Sequence, residues 1–489
     1  MAGFKSAVIC YAPDNMRSTE KTLFCLVVFI FIFGPTFSYS QEKLGVDPTG
    51  RSGDESFLLK NDEPVITPPL KILPPLPETK AKELPIKSVF ITKIKLTGNT
   101  VFSEKELSTV TAAYINRQLT FEDMEELRRL LTLYYINKGY INSGAVIPDQ
   151  KITGGVITLQ INEGELTSIN VKGLQRFKTG YIDKRLALGA GRPLNINLLQ
   201  QKLQLLQQDK RIKRINAELK PGLKLGESIL NVRIQENCPY KFQLKFNNYH
   251  SPTVGAELGQ ISIVHQNLTG HGDILELAYE KSEGIDPQID AAYSYPVTVH
   301  DTTVNFRYRK NDFDVIEKPF DSLDIKSESE IYELTLRHPI YRTGSHELSL
   351  SFTGEHLHNE TFLLKEPFTF SPGAKDGEST VTALRFTQEW TLKTRDQVFA
   401  IRSRFSFGID ALDATINSDS NIPDSRFFSW LGQFQWARRL KFMNIRIIWK
   451  ADLQLTKDPL LPLEQIAVGG RFSVRGYREN QMVRDKAGQ

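Results

Sequence analysis

The chain has 489 residues, of which 40% are hydrophobic, and its mean hydropathy is -0.30. This length allows about two to four domains, but the polarity excludes a bundle of membrane-spanning helices. Lys and Arg exceed Asp and Glu by only 4, which is too small an excess for a nucleic-acid-binding protein. Partners therefore have to be predicted from local features, and no nucleic acid is expected among them.

The N-terminal segment has the layout of a secretory signal peptide. An uninterrupted apolar run covers residues 23–33, which is too short to cross a hydrocarbon core about 30 Å thick. Two basic residues precede the run, and a small-x-small site ends at Ser40. We therefore predict a signal peptide over residues 1–40, with translation starting at Met1 or Met16.

Residues 41–85 are rich in Pro, Lys, Glu and Asp, a composition typical of an extended linker without a core of its own. Within the linker, residues 51–60 are a weak candidate for a short helix. Removal of the signal peptide leaves Cys238 as the single cysteine of the chain. No disulfide is therefore expected in the mature protein.

Residues 86–165 and 166–237 predict two small α/β modules that form an internal repeat. Each has the order strand, glycine turn, helix, helix, strand, strand. The helix predicted over residues 120–138 is the best marked, because its apolar residues recur at i+3 and i+4 and Gly139 ends it.

The second module is basic. Residues 165–237 contain 14 Lys and Arg against 6 Asp and Glu, whereas residues 84–164 are nearly neutral. A solvated basic face is the plain interpretation. The functional interpretation is a surface for an unfolded or acidic client, recognised by strand addition to a sheet edge. The candidate client-binding residues are Arg176, Lys184, Arg185, Lys210, Arg211, Lys213 and Arg214.

From Tyr240 onward the hydrophobic period changes to two. Apolar residues such as Phe242 alternate with polar ones such as Lys241 and Gln243. Strands of about ten residues with this pattern are typical of a transmembrane β-barrel, which satisfies its backbone groups without water. A water-soluble sandwich is the alternative. Eleven antiparallel strands are predicted near residues 240–250, 254–265, 272–282, 286–296, 301–312, 328–339, 345–357, 379–392, 397–411, 425–437 and 440–453.

The connections between these strands support the barrel. Links after even-numbered strands are short, and those after odd-numbered strands are often long and polar, as on the two sides of an outer-membrane barrel. The apolar strips are expected to contact lipid, and the polar strips to line a lumen. Basic residues are concentrated on the predicted lumen-lining strips, namely Arg307, Arg309, Arg337, Arg402, Arg404, Arg446 and Lys450.

No catalytic motif is evident. HExxH, G-x-S-x-G and phosphate-loop spacings do not occur in the sequence, so neither an enzyme nor a cofactor is expected. His356 and His358 are spaced for one strand face, but no third metal ligand is apparent. An exposed strand end is the alternative, and no metal site is predicted.

A glycine-rich motif follows the last predicted strand. Its glycines permit tight turns, and its second arginine is suited to a bidentate contact with a carboxylate. An ordinary surface loop is the plain interpretation. The motif residues singled out are Gly469, Gly470, Val474, Arg475, Gly476 and Tyr477.

This string resembles the Val-Arg-Gly-Tyr/Phe tip of the sixth loop in two-partner secretion transporters, the TpsB-type ShlB/FhaC/HecB family related to BamA. The turn at residues 267–273 is similar to the family's turn before the third strand. The order of signal, linker, two POTRA-like modules and barrel (residues 240–489) is also similar. The resemblance implies an outer-membrane pore whose periplasmic POTRA modules capture an unfolded haemolysin- or adhesin-type exoprotein carrying an N-terminal secretion domain. Arg475 is expected to pair with an aspartate in the lumen.

The resemblance also defines departures and alternatives. The family has a plug helix, for which residues 51–60 are the weak candidate. About eleven of the family's sixteen strands precede Gln489, so we expect the sequence to be a fragment or a truncated gene product that forms no working pore as it stands. A BamA-like assembly insertase and a passive porin or adhesin scaffold are the alternatives. The first is expected to have more POTRA modules, and the second needs neither the modules nor the loop.

Overall fold

A computed structural model describes residues 88–248, 251–440, 445–469 and 482–488, together with two short strands, β1 (Val8–Ile9) and β2 (Leu70–Ile72). The chain divides into two units, one of Val65–Asn237 and one that includes Cys238–Gln489. Apart from β1 and β2, the predicted signal peptide and linker lie outside the described residues.

The first module packs two helices on a small mixed sheet. The order in that sheet is β4-β7-β6, with β4 parallel and β6 antiparallel to β7. Both helices start at a capping box, Ser103 with Glu106 and Thr120 with Asp123. The elements are β3 (Val89–Ile91), β4 (Lys93–Thr97), α1 (Glu104–Thr111), β5 (Arg117–Leu119), α2 (Phe121–Asn137), β6 (Gly144–Val146) and β7 (Val156–Asn162).

The second module repeats this arrangement. Its sheet has the order β8-β10-β9, with β8 parallel and β9 antiparallel to β10. Strand β2 adds to the other side of β9 in the parallel sense. The predicted internal repeat is therefore present in the topology of the two sheets. The elements are β8 (Glu165–Lys172), α3 (Thr179–Ala187), α4 (Ile196–Gln207), β9 (Ile212–Pro221) and β10 (Glu227–Glu236).

The repeat extends to the glycine turn that follows β4 in the first module and β8 in the second. Gly98 has φ +80°, and a Cβ there would lie 2.4 Å from the Ile161 carbonyl oxygen. In the first module the Glu163 carboxylate accepts hydrogen bonds from the backbone amides of Thr100 (2.7 Å) and Val101 (3.0 Å). A carboxylate thus holds the turn against the end of β7.

The second module uses the same device. Gly173 has φ +88° and approaches the Ile234 carbonyl oxygen, to which an added Cβ would lie 2.3 Å away. Glu236 accepts hydrogen bonds from the backbone amides of Gln175 (2.8 Å) and Phe177 (3.1 Å). Only glycine enters this close approach at positive φ without strain.

Hydrogen bonds join the two modules, which lie in the same unit. The Asn142 side-chain amide donates to the Gly226 carbonyl oxygen at 2.9 Å. The Leu194 amide donates to the Gly164 carbonyl at 2.7 Å. Because these bonds use backbone groups of both modules, the junction is specified by geometry as well as by side-chain packing.

The second unit is dominated by one antiparallel sheet. Strand β1 pairs with β11, β18 with β17, and β25 with β22. The eleven long strands of the described residues agree with the predicted order, and most ends lie within a few residues. The strands are β11 (Tyr240–Asn247), β12 (Leu258–Gln266), β13 (Ile274–Lys281), β14 (Ile285–Pro296), β15 (Thr303–Asp314), β16 (Lys326–Arg342), β17 (His346–Leu363), β18 (Glu366–Pro367), β19 (Glu378–Lys393), β20 (Gln397–Ile409), β21 (Phe428–Leu440), β22 (Ile445–Thr456) and β25 (Ala487–Gly488).

The sheet has one apolar and one polar face. The registers align Phe352 with Leu336 and Phe386, and Ile401 with Phe434. Many apolar side chains of this face are exposed, including Phe352 at 52%. Such an extended apolar surface is suited to hydrocarbon and is unusual on a protein that contacts water alone.

The hairpin β16–β17 is longer than predicted. The alternation ends where both faces become polar, yet pairing continues to Lys326 opposite Phe362. In this extension Ser327 donates a hydrogen bond to Asn359 at 3.0 Å. No helix of the described residues has both the length and the hydrophobicity needed to cross a bilayer.

Replacing Glu163 by Gln is expected to loosen the turn at residues 98–102. Burial raises the pKa of Glu163, but hydrogen bonds from Thr100, Val101 and Tyr135 outweigh it and hold the pKa below its usual 4.5. A carboxyl with a lowered folded-state pKa stabilises the fold above its unfolded pKa, and this contribution is lost as pH falls through the folded pKa. The expected cost of the substitution at pH 7 is about 1–3 kcal/mol.

Hydrogen exchange of the turn, corrected for intrinsic rates, measures this effect. At pH 7 the turn amides of Glu163→Gln are expected to be less protected than those of the unsubstituted chain. This difference in protection is expected to shrink toward pH 3, where Glu163 becomes protonated. Asp149→Asn, at an exposed loop position, is the matched control. Equal protection of the two variants at pH 7 would contradict the anchoring role.

Candidate functional site

The polar face of the large sheet contains charged side chains in ion pairs. Arg307 donates to Asp290 across the β14–β15 pair at 2.9 and 2.5 Å, and Arg309 pairs with Glu333. The Arg402 guanidinium donates to Glu389 at 2.8 Å. Charges held this way offset their partial desolvation.

All the predicted lumen-lining residues lie on this polar face, opposite the aromatic residues, as the registers of β15, β16, β20, β21 and β22 require. On β20, Arg402 and Arg404 alternate with Ile401 and Phe405. On β22, Arg446 and Lys450 share one face, and Ile447 and Trp449 lie on the other. Their role in lining a passage stays a prediction.

The described residues of the connection after β22 pack onto the polar face. We call residues 457–469 and 482–486, the described parts of this connection, the tip loop, because they flank the glycine-rich motif. Leu460 and Leu461 of this loop are fully buried in a cluster with Val381, Ala383 and Phe427. Val381 and Ala383 of β19 lie on the polar face of the sheet. The two loop leucines therefore cover apolar side chains on that face.

Leu463 anchors the loop at a second place, where it packs with Ile331 of β16 and Leu357 of β17. Burial of a leucine side chain is worth about 1.5–3 kcal/mol. The loop base is therefore packed on three neighbouring strands of the sheet.

Beside Leu463 lies the most buried charge cluster of the site, which we call the ion triad: Glu464, Arg385 and Glu355. Arg385 donates from both terminal nitrogens to Glu464, at 2.7 and 3.2 Å. It also donates to Glu355 at 2.5 Å. The side chains of the three residues are 4%, 7% and 13% exposed, respectively. The triad therefore joins the loop base to β17 and β19.

Two short strands close the loop base, β23 (Ile466–Val468) and β24 (Met482–Arg484), which pair antiparallel. Asp485, just after β24, accepts hydrogen bonds from the Leu460 amide (3.2 Å) and the Gln465 side chain (2.8 Å). The Gln454 side chain donates to the carbonyl oxygens of Glu464 (2.9 Å) and Asp485 (3.1 Å). Both arms of the loop are thus tied together at the sheet.

Of the predicted tip residues, only Gly469 is described, with φ +126°, a value that favours glycine. The remaining motif residues lie outside the described residues, namely Gly470, Val474, Arg475, Gly476 and Tyr477. The ion triad was not predicted from the sequence. Its one available signal was the position of Arg385 and Glu355 on polar strips and of Glu464 next to the motif.

The candidate client-binding residues of the second module differ in their surroundings. Lys184, Lys210, Lys213 and Arg214 have exposed side chains. Arg176 is also exposed, and its guanidinium lies 3.9 Å from Glu236. These five remain candidates for contact with a partner.

Arg185 and Arg211 are bound within the module, contrary to the expectation of a surface role. Arg185 is buried, lies 3.7 Å from the Tyr181 ring centroid, and donates to the Tyr181 carbonyl at 3.1 Å. Arg211 donates to Asp209 at 2.7 Å from two nitrogens, and to the Tyr181 hydroxyl at 2.8 Å. A charge count along the sequence does not detect this burial.

One edge of the second module's sheet, where strand addition by a client was considered, already carries a strand of the same chain. This strand is β2, which lies beside Ala217–Leu219 of β9. The other edge strand of the sheet is β8. Addition of a client strand at β9 therefore requires displacement of β2.

The histidine pair shows hydrogen bonds to neighbouring side chains. His356 Nδ1 lies 3.0 Å from the Thr382 hydroxyl, and His358 Nδ1 lies 2.8 Å from that of Thr380. Across the described part of the chain, no group of three or more His, Cys, Asp or Glu residues is arranged to hold a metal ion.

Family comparisons match both units. The model described as haemolysin secretion/activation protein ShlB/FhaC/HecB matches residues 226–488. The model described as POTRA domain, ShlB-type, matches residues 89–164. The first of these covers more than half of the chain.

The chain is also similar to individual transporter proteins. The chain is 24% identical to the outer membrane transporter CdiB of Dickeya dadantii (strain 3937), over 79% of this chain and 68% of that protein. It is 23% identical to the hemolysin transporter protein ShlB of Serratia marcescens, over 84% and 72%. The solved structure of CdiB from Escherichia coli superposes with a TM-score of 0.63 at 21% identity, covering 87% of this chain and 77% of that one. This structural likeness shows the fold.

Arg185→Ala is expected to destabilise the second module by about 1–3 kcal/mol, because it removes a cation–π contact and a buried hydrogen bond. Lys184→Ala, at the adjacent exposed position, is the matched control and is expected to change stability by less than about 0.5 kcal/mol. Hydrogen exchange of α3 in the full chain measures both. Equal exchange in the two variants would show that Arg185 has no structural role.

Proposed function

The chain belongs to the haemolysin secretion/activation family ShlB/FhaC/HecB, and from this we propose that it captures an unfolded exoprotein and passes it to the cell surface. Members are two-partner secretion transporters of the outer membrane that act with a secreted partner protein. The chain is an outer-membrane protein of this type, with POTRA modules in the periplasm and an antiparallel β-barrel fold. The family is one of transporters and not of enzymes.

The observation that supports the proposal most is the combination of POTRA modules with a two-faced sheet whose polar face holds a folded loop. A passive porin has no need of the modules. An apolar outer face provides contact with outer-membrane lipid, and a charged inner face provides a surface along which an extended chain stays hydrated. Transport of an unfolded chain needs such a surface, because its backbone groups must keep hydrogen-bond partners. The activity proposed is transport without catalysis or cofactor.

The second module supplies the first contact in this proposal. It is the more basic of the two modules, and Lys213 and Arg214 of β9 are exposed on it. Basic residues attract acidic segments of an unfolded client and raise the association rate. The N-terminal secretion domain of the exoprotein is the proposed ligand.

Reversal of these charges tests the proposal. The double substitution Lys213→Glu and Arg214→Glu is expected to lower secretion of the partner exoprotein about tenfold, since favourable attraction becomes repulsion. The measurement is exoprotein in the medium and on the cell surface of a co-expressing Gram-negative host, normalised to transporter in the outer membrane.

Lys93→Glu with Lys95→Glu is the matched control, because these exposed lysines lie on β4 of the nearly neutral module. The control is expected to change secretion less than about twofold. If no exoprotein encoded beside the transporter is secreted or bound by the unsubstituted chain, the secretion proposal fails. If both double variants secrete normally, the module does not act through its charge.

A further inference from the structure

We propose that the ion triad is a two-position latch for the tip loop: Glu464 holds the loop base on the sheet, and Glu355 retains Arg385 when the loop leaves. The inference goes beyond secretion and does not require a client. It rests on the geometry and burial of three side chains.

The contact between loop and sheet is specific in direction. Arg385 presents both terminal nitrogens to the two carboxylate oxygens of Glu464, at 2.7 and 3.2 Å. This fork geometry fixes orientation as well as distance. Arg385 Nη1 also donates a hydrogen bond to the Ser406 hydroxyl of β20 at 2.8 Å. Glu464 is therefore seated on a guanidinium that the sheet itself orients.

The Glu355 carboxylate lowers the energetic cost of moving the tip loop off the sheet. Removing one partner of a buried ion pair normally leaves an uncompensated charge, which is strongly unfavourable. Arg385 has a second partner on β17, since Glu355 accepts its hydrogen bond at 2.5 Å. When Glu464 leaves for water, Arg385 is still paired. Both positions of the loop thus leave the arginine compensated.

The two carboxylates also compete. Glu355 and Glu464 both bind Arg385 through its Nη2 nitrogen, so each draws on the same donor. Like charges that share one cation repel each other, and this repulsion lowers the affinity of the loop for the sheet. Glu355 is therefore expected to weaken the closed position, whereas a residue that only stabilises the structure would strengthen it.

This competition predicts opposite effects for two isosteric substitutions. Glu464→Gln removes the charge that holds the loop and is expected to raise opening of the loop base at least about tenfold. Glu355→Gln removes the competitor, so Arg385 serves Glu464 alone, and opening is expected to fall. A purely structural role for both glutamates predicts an increase in both variants.

Opening is measured by thiol labelling of Ala467→Cys in the full chain, with Cys238 replaced by Ser. Ala467 lies on β23 between buried neighbours, so its labelling reports movement of the loop base. Labelling of this site is followed by mass spectrometry on outer-membrane vesicles. The inference is overturned if Glu464→Gln labels at the unsubstituted rate, or if Glu355→Gln raises the rate as much as Glu464→Gln.

Arg342→Gln is the matched control, because Arg342 forms ion pairs with Asp301 (2.8 Å) and Glu347 (3.0 Å) elsewhere in the same sheet. Arg342→Gln is expected to leave the labelling rate of Cys at position 467 equal to that of the chain without this substitution. If Glu464→Gln fails to insert in the membrane, Glu464→Asp replaces it. Aspartate keeps the charge but is one methylene shorter, so faster labelling is again expected, and an unchanged rate overturns the latch.

Discussion

The main chain inside a hydrocarbon layer has no water to bind, so each of its amide and carbonyl groups must find a partner in the protein. This constraint produces the continuous antiparallel pairing from β11 to β22. Pairing then fixes the side-chain period at two, which separates an apolar face from a charged one. The tip loop packs on the charged face through two kinds of contact. Its leucines pack on apolar side chains of that face, and Glu464 forms an ion pair with Arg385.

Much of the fold could be predicted because the apolar alternation is itself the result of this constraint. The long strands were placed well wherever one face contacts lipid. The prediction stopped short in β16 and β17, where the hairpin continues with polar residues such as Ser327 and Asn359 on the polar face. The short strands β5, β23 and β24 were missed, because three residues carry too little pattern and their pairing depends on distant partners.

The site was less predictable. The tip motif was found by its resemblance to a family, and its tip lies outside the described residues. The ion triad was not found, because Arg385 is 30 residues from Glu355 and 79 from Glu464 along the chain. Only the folded sheet brings these three together. Arg185 shows the opposite error, since its charge suggested an exposed role and the structure buries it against Tyr181.

The turn anchor shared by the two modules has a consequence for the surface that each module can present. Gly98 with Glu163, and Gly173 with Glu236, perform the same task through main-chain contacts. The turn of each module thus depends on one glycine and one glutamate, and it places no demand on the outward-facing side chains. One scaffold can therefore present two different surfaces: residues 84–164 are nearly neutral, whereas residues 165–237 carry 14 Lys and Arg against 6 Asp and Glu.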